Sequence, residues 1–213
     1  MQVQVKYLQN NRERIFDTIK DNSFAIIHSG AAPFKSADAS YPFFVNRNFF
    51  YLTGINQEDV TLVIGKLNGV KKEFLFIDEN DPILVKWVGA KLYKKEASEL
   101  SGIPESNIMY NSSFNNFMNN YYQSLRYSEG TIENLYLDLE QHNTMFYNTF
   151  GLTYANNIQK KFPAIKIENV YNIIIGLRMV KNSDEIEIMK NSINTTKEAI
   201  YNVMNHHDEL DNE

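Results

Sequence analysis

Three acidic residues follow one predicted strand closely enough to suggest a two-carboxylate site. Asp78, Glu79 and Asp81 come directly after the apolar run 74–77, and α/β folds often bind ligands beyond their strand ends. Paired carboxylates can act as general acid and base or bind a divalent cation. Nothing beside them in the sequence supplies a further base or metal ligand. The favoured interpretation is therefore a solvated turn, because charged side chains are mostly exposed.

The four histidines add little catalytic potential. The segment 206–209 (His-His-Asp-Glu) has metal-ligand residue types, but neighbouring helical positions point about 100° apart, unlike the i, i+4 pair of a zinc peptidase. His28 and His142 are isolated, and neither Ser29 nor Ser36 lies in the G-x-S-x-G turn of a nucleophilic serine. No catalytic and no metal-binding residue is predicted in this chain.

Composition excludes several functional classes. The chain has 213 residues and no cysteine, which removes a disulfide scaffold, a thiolate zinc site and a cysteine nucleophile. The net charge of −5 gives no basic surface for nucleic acid or an anionic membrane. No signal peptide or membrane-spanning run is visible. A cytoplasmic protein of one large or two small domains is expected, without nucleic-acid or membrane partners.

The first half of the chain predicts a helix followed by strands. Apolar residues recur with helical spacing over residues 4–21, and short apolar runs rich in β-branched and aromatic residues are typical of strands. Four strands are expected, at 24–27, 48–53, 60–65 and 73–78, with a polar loop at 28–42. Short connections between consecutive strands favour an antiparallel meander.

The second half alternates helices with strands. Helices are expected at 91–100, 114–126 and 144–162, and strands at 108–110, 132–138 and 165–170. This alternation favours strands added in parallel. The predicted fold class is therefore α/β, with a mixed parallel and antiparallel sheet flanked by helices on both faces.

A last helix is predicted from Asn182 to about His206. Asn182 can cap its first turn, and Glu185 occupies the position that completes a capping box. The apolar residues of this helix fall on one face that needs a partner surface. They are Ile186, Met189, Ile193, Ala199, Ile200 and Val203.

Trp87 is the single tryptophan of the sequence and lies between a strand with its turn and a helix. A lone tryptophan is often a core or rim aromatic. Tryptophan is also enriched among the residues that dominate binding interfaces. The residue types alone leave both roles open.

Several segments resemble, in order, the N-terminal domain of Xaa-Pro aminopeptidases in the creatinase/prolidase family. Residues 41–55 (YPFFVNRNFFYLTGI) are similar to the family signature, and Trp87-Val88-Gly89 is similar to its W-x-G. Residues 177–189 (LRMVKNSDEIEIM) resemble the segment that opens the catalytic domain. The chain departs from the family at Phe44 and Val45, where members often have Arg-Gln, so no polar role is expected there.

The resemblance implies a creatinase/prolidase-type N-terminal domain at 1–176. Residues 177–213 would be a linker and the first helix of a truncated C-terminal metallopeptidase domain. In the family that domain holds a dinuclear metal centre, usually manganese, ligated by two Asp, one His and two Glu. The metal-bound hydroxide attacks the bond before proline. No cofactor is therefore expected in this chain, and a dinuclear metal is expected in the complete enzyme.

The resemblance also implies a function: a non-catalytic domain that assembles a homo-oligomer, dimer or tetramer, and gates its active sites. Trp87 would face the substrate cleft of the neighbouring subunit, and the substrates would be peptides with proline second. Two alternatives remain. One is a stand-alone interaction module of the same fold, and the other is the N-terminal half of a prolidase- or creatinase-type hydrolase.

Overall fold

The computed structural model describes residues 2–123, 129–140 and 149–206. The strands are β1 (Ser23–His28), β2 (Phe34–Ser36), β3 (Ala39–Ser40), β4 (Thr61–Leu67), β5 (Val70–Ile77), β6 (Ile108–Tyr110), β7 (Asn134–Leu137) and β8 (Lys166–Asn169). The α-helices are α1 (Gln2–Thr18), α2 (Arg47–Thr53), α3 (Leu84–Val88), α4 (Lys94–Ser101), α5 (Phe114–Tyr122), α6 (Phe150–Lys161), α7 (Tyr171–Met179) and α8 (Ser183–Asn205). The chain divides into two compact units, Met1–Leu177 and Arg178–Glu213.

The first unit is built on a mixed sheet. Among the described residues, six strands pair in the order β6-β5-β4-β1-β7-β8. Strand β4 runs antiparallel to both β1 and β5, and the other pairs are parallel. Five strands therefore end at one side of the sheet, which we call the carboxyl edge. The predicted fold class is confirmed.

Each face of the sheet carries a hydrophobic core, because successive side chains of a strand point to opposite faces. In β1, Ala25 and Ile27 belong to the cluster that includes residues of α1, α2, α4 and α7. Phe24 and Ile26 belong to the cluster with residues of α5 and α6. Successive strand residues point to opposite faces, so a strand buried on both sides is a continuous apolar run. Helices thus cover both faces, as the sequence predicts.

The predicted strand at 48–53 is wrong, because this segment is helix α2 (Arg47–Thr53). The Asn46 side chain caps the helix by accepting hydrogen bonds from the backbone N–H groups of Asn48 (2.8 Å) and Phe49 (3.1 Å). Gly54 ends it in the left-handed conformation, with φ of 67°, which glycine adopts without steric cost. Aromatic residues favour strands only weakly, and these caps and burial in the core outweigh that preference.

Other elements differ from the predictions in smaller ways. The predicted loop 28–42 contains the short hairpin β2–β3, and helices α3 and α7 were not predicted. The predicted ends at 124–126 and 144–148 lie outside the described residues. The helices and strands predicted elsewhere are confirmed within a few residues. No helix in the described ranges is long and apolar enough to cross a bilayer, and a cytoplasmic location stays a prediction.

The second unit consists mainly of α8. Its predicted capping box is confirmed: the Asn182 carboxamide oxygen accepts from the Glu185 N–H (2.9 Å), and the Glu185 carboxylate accepts from the Asn182 N–H (3.0 Å). The predicted apolar face is exposed, and Ile193 and Val203 keep 62% and 59% of their accessible surface.

Candidate functional site

Trp87 lies on a loop between β5 and α4 that carries the short helix α3. Asp81 starts this helix, because its carboxylate accepts a hydrogen bond from the Ile83 N–H (2.7 Å), the local turn that aspartate side chains favour. Gly89 ends it at a φ of 85°. Asp81 and Gly89 therefore bend the backbone sharply at the two ends of α3.

The tip of this loop is apolar and exposed. Ile83, Leu84, Trp87 and Val88, which we call the loop tip, keep 68%, 58%, 83% and 77% of their accessible surface. Single exposed apolar residues are ordinary, whereas several exposed together favour an interaction surface; here Ile83 precedes α3 and the other three lie in it. Trp87 is therefore not a core residue, and its role in binding stays a prediction.

The base of the loop is polar and fixed. The Asn80 carboxamide donates to the backbone oxygen of Lys91 and accepts from its backbone N–H, both at 2.8 Å. One residue further on, the Leu92 N–H donates to the Gln57 side-chain oxygen (2.7 Å). These bonds join both ends of the loop to each other and to the body of the first unit.

An ion pair stands beside this base at the carboxyl edge. The Lys91 ammonium binds the Asp78 carboxylate, which also accepts from the Asn111 side chain at 2.6 Å. Burial opposes ionisation of Asp78, but the hydrogen bonds from Lys91 and Asn111 and the Lys91 charge outweigh it and lower the Asp78 pKa. Burial likewise opposes the charge on Lys91, and the bond to Asp78 leaves its pKa raised. Both groups are held in their charged forms.

The carboxylates that suggested a two-carboxylate site thus have separate roles. Asp78 is half-buried in the ion pair, Asp81 bends the backbone into α3, and Glu79 is exposed. The sequence suggested a solvated turn at this position, but the Asp78 carboxylate is half-buried in an ion pair. Within the described ranges, no group of three or more His, Asp or Glu is arranged to bind a metal ion.

His28 and Ser29 do not form a catalytic pair. The His28 Nδ1 accepts a hydrogen bond from the Gly30 N–H (2.9 Å), and its ring stacks on Phe150 with centroids 4.4 Å apart. Burial lowers the His28 pKa to about 4, against a small opposing effect of Asp78. The Ser29 hydroxyl accepts from the backbone N–H of Val60 (2.9 Å). Both side chains brace the carboxyl edge.

Of the remaining histidines, only His206 lies within the described residues. His206 is exposed, and its Nδ1 lies 2.9 Å from the Asn202 carbonyl oxygen within α8. His142 and residues 207–209 lie outside the described residues. The Ser36 position falls on the exposed strand β2.

The signature segment 41–55 has an exposed half and a buried half. Tyr41 and Phe44 keep 53% and 85% of their accessible surface, whereas Phe49 and Leu52 are fully buried in the first core cluster. The exposed half leaves the same edge of the sheet as the loop of Trp87. The absence of a polar role for Phe44 stays a prediction.

The buried half is tied to β7 by side-chain amides. Asn46 and Asn48 both donate to one oxygen of Asp138, at 3.3 and 3.0 Å. Asp138 is 8% exposed, and a buried carboxylate needs such donors to offset its lost hydration. Asn46 therefore serves two purposes, since it also caps α2.

Arg12, in α1, is a structural centre of the first unit. Its side chain is 1% exposed and contacts the Glu73 carboxylate through Nε at 2.7 Å. Its Nη1 donates to the carbonyl oxygens of Leu52 (2.8 Å) and Ser101 (3.0 Å). Those residues lie at the carboxyl-terminal ends of α2 and α4, where a positive charge is favourable. Apolar neighbours at helical spacing would have been the only signal of its burial.

The comparisons with known proteins agree on one family. The model of the aminopeptidase P N-terminal domain matches residues 8–128. A Xaa-Pro aminopeptidase of Haemophilus influenzae is 30% identical over 98 residues, which are 46% of this chain and 23% of that protein.

Solved structures show the same fold over most of the chain. A protein of Bacillus anthracis described as an aminopeptidase P superposes with a TM-score of 0.85 and 39% identity, over 94% of this chain and 46% of its own. A zinc-substituted aminopeptidase P of Escherichia coli in complex with product has a TM-score of 0.69 and 20% identity, over 87% and 41% of the two chains. The chain spans less than half the length of each of these proteins. The chain belongs to the aminopeptidase P N-terminal domain family.

Proposed function

We propose that this chain is the non-catalytic assembly and substrate-gating domain of a Xaa-Pro aminopeptidase. The complete protein would hydrolyse the bond between an N-terminal residue and a following proline. The loop tip would project into the substrate cleft of a neighbouring copy in a homodimer or homotetramer. The observation that supports this proposal most directly is the 83% exposure of Trp87 in a chain of the aminopeptidase P family.

The exposed loop tip suits contact with a protein surface. Burying one such large apolar side chain stabilises a contact by roughly 1.5–3 kcal/mol, and tryptophan is among the commonest residues at interface centres. Ile83, Leu84 and Val88 flank Trp87 with further apolar surface. Burial of this patch against a second copy would remove it from water.

Recognition of proline fits the chemistry of Trp87. An indole ring and a pyrrolidine ring are both rigid and apolar, so little conformational entropy is lost when they touch. Contact with the Trp87 indole would favour peptides whose second residue is compact and cyclic. This specificity is part of the proposal for the complete protein.

The catalytic metal centre belongs, in this proposal, to another part of the complete protein. The described residues do not offer the donor set of a dinuclear site, so no step through a metal is assigned to them. The expected centre is dinuclear, with manganese as the metal, and it would generate the attacking hydroxide when bound. We also propose residues 1–176 as the N-terminal domain and 177–213 as a linker and leading helix. The division into compact units after Leu177 supports this boundary.

The gating role is tested by Trp87→Ala in the complete protein. We expect a fall in kcat/KM for a Xaa-Pro peptide of roughly tenfold or more, which corresponds to the loss of one buried aromatic contact. Metal content measured by elemental analysis should not change. Val70→Ala is the control, because Val70 is exposed and begins β5, at the edge of the sheet opposite the carboxyl edge. Unchanged kinetics for Trp87→Ala would refute the gating role.

The non-catalytic role is tested with the chain itself. Incubation with Mn²⁺ and a Xaa-Pro dipeptide or tripeptide should release no product above the buffer blank. Sedimentation velocity should show self-association that Trp87→Ala weakens. Robust hydrolysis by the chain alone would overturn the proposal.

A further inference from the structure

The Asn80 side chain joins the two ends of the loop that carries Trp87. The two hydrogen bonds between the Asn80 carboxamide and the Lys91 backbone, both 2.8 Å, span eleven positions of the chain. A carboxamide has a donor and an acceptor side by side. It therefore bonds one backbone residue as a neighbouring strand would. We call the Asn80–Lys91 pair the clamp.

The clamp is tied to the sheet on both sides. Asn80 follows Asp78, at the end of β5, by two residues, and the Lys91 ammonium returns to that same Asp78. The Asn111 amide, just after β6, holds the other oxygen of Asp78 at 2.6 Å. On the outgoing side, Leu92 is half-buried against the first core cluster, and its N–H is bound by Gln57. These hydrogen bonds and the ion pair tie both ends of the loop to the edge of the sheet.

The loop tip has weaker support of its own, chiefly the hydrogen bond from the Ile83 N–H to the Asp81 carboxylate. Helix α3 has five residues, and so short a helix is not stable in isolation because nucleation outweighs its few hydrogen bonds. None of its residues is buried. The position of Trp87 therefore depends on the geometry imposed at the base, and not on packing of the tip.

We propose that Asn80 is a positioning residue for Trp87: by clamping Lys91 it holds the loop tip in the conformation that meets the neighbouring cleft. This inference rests on the proposed gating function. A loop that is ordered before contact avoids the entropy lost on binding. The contact surface is therefore built from an apolar tip that binds and a polar base that pre-orders it.

Trp87 supplies its own probe, because it is the single tryptophan of the chain. In Asn80→Ala, time-resolved fluorescence anisotropy of the chain should show added nanosecond segmental motion of the indole. Asn107→Ala is the matched control, since it also removes a side-chain bond to a backbone carbonyl, that of Glu73 (3.1 Å), away from the loop. Unchanged anisotropy in Asn80→Ala would overturn the clamp.

Asn80→Asp gives a second variant in case Asn80→Ala folds poorly. It keeps the acceptor for the Lys91 N–H and loses the donor to the Lys91 carbonyl oxygen. Its segmental motion should lie between those of the wild type and Asn80→Ala. Motion equal to that of the wild type would show that the hydrogen bond from Asn80 to the Lys91 carbonyl oxygen does not restrain the loop. That result would contradict the inference.

Kinetics of the complete protein test the link to gating. Asn80→Ala should lower kcat/KM for a Xaa-Pro peptide roughly tenfold, and it should have no further effect in a Trp87→Ala background. Equal losses in both backgrounds would mean general destabilisation and would overturn the positioning role, while the gating proposal stood. If Trp87→Ala itself had no effect, gating and the positioning role built on it would both fall.

Discussion

The guanidinium of Arg12 lies 2.7 Å from the carboxylate of Glu73, a residue 61 positions later in the sequence. The same arginine donates to the last turns of α2 and α4 through Leu52 and Ser101. One buried side chain thus joins the first helix, two later helices and β5. The pair is part-buried on the Glu73 side, with 24% of that side chain exposed.

Replacement of Arg12 by Met should destabilise the chain strongly. The variant leaves the Glu73 carboxylate without its cation and the carbonyl oxygens of Leu52 and Ser101 without a donor. Breaking a buried pair in this way typically costs about 3–5 kcal/mol. Urea unfolding followed by circular dichroism measures the change. Arg14→Met, which removes only a 3.1 Å bond to the Tyr51 hydroxyl, should cost about 1 kcal/mol or less, and equal losses in both variants would contradict the role of Arg12.

The buried imidazole of His28 should make stability depend on pH between about 4 and 6.5. Its native pKa is lowered to about 4 from 6.5, so in this window the unfolded chain binds a proton that the folded chain does not. Stability is therefore full above pH 6.5 and falls as the pH drops through the window, by roughly 3 kcal/mol in all.

The check is the slope of unfolding free energy against pH, compared with that of His28→Gln. The variant should lose the part of the slope that His28 contributes between pH 6.5 and 4, whatever its absolute stability. Loss of the Asp78 ion pair belongs to a lower window, because its pKa is lowered below 3.8. An unchanged slope in His28→Gln would exclude His28 as its cause.

Two glycines should respond to alanine in opposite directions. A Cβ on Gly65, in β4, would lie 2.0 Å from the Ser23 carbonyl oxygen and 2.9 Å from the Phe24 Cα. Strand β1 would have to shift, at a cost of about 3 kcal/mol or more. A Cβ on Gly176, in α7, meets nothing within 4 Å, so alanine there should stabilise by about 0.5–1 kcal/mol. Thermal unfolding of both variants measures the two signs.

Asn46 should tolerate neither alanine nor aspartate. Asn46→Ala removes the cap of α2 and one donor to Asp138, for a loss of about 1–2 kcal/mol. Asn46→Asp keeps a good capping oxygen but places a second carboxylate beside the buried Asp138. At pH 7 this variant should lose at least as much unfolding free energy as Asn46→Ala. The loss should become smaller on acidification, and chemical denaturation at two pH values would measure it. A neutral Asn46→Asp would mean that the bond to Asp138 contributes little.

The sequence by itself determined the elements whose signals are local. Strand β4 follows from a run of apolar β-branched residues, and the start of α8 follows from Asn182 and Glu185, which are three positions apart. The mixed sheet followed from such runs and their spacing. Asn46 and Gly54 are local capping signals for α2, but the aromatic residues between them are equally typical of a strand, so the local pattern alone does not separate the two structures.

Only the tertiary structure decided the roles that depend on distant partners. Arg12 is buried because Leu52, Glu73 and Ser101 meet it from 40 to 89 positions away, and no local pattern encodes that meeting. Trp87 is 83% exposed although its side chain is large and apolar, because none of the residues of α3 is buried in a core. Burial is a property of the whole fold, whereas caps and strand alternation are properties of a few neighbouring residues.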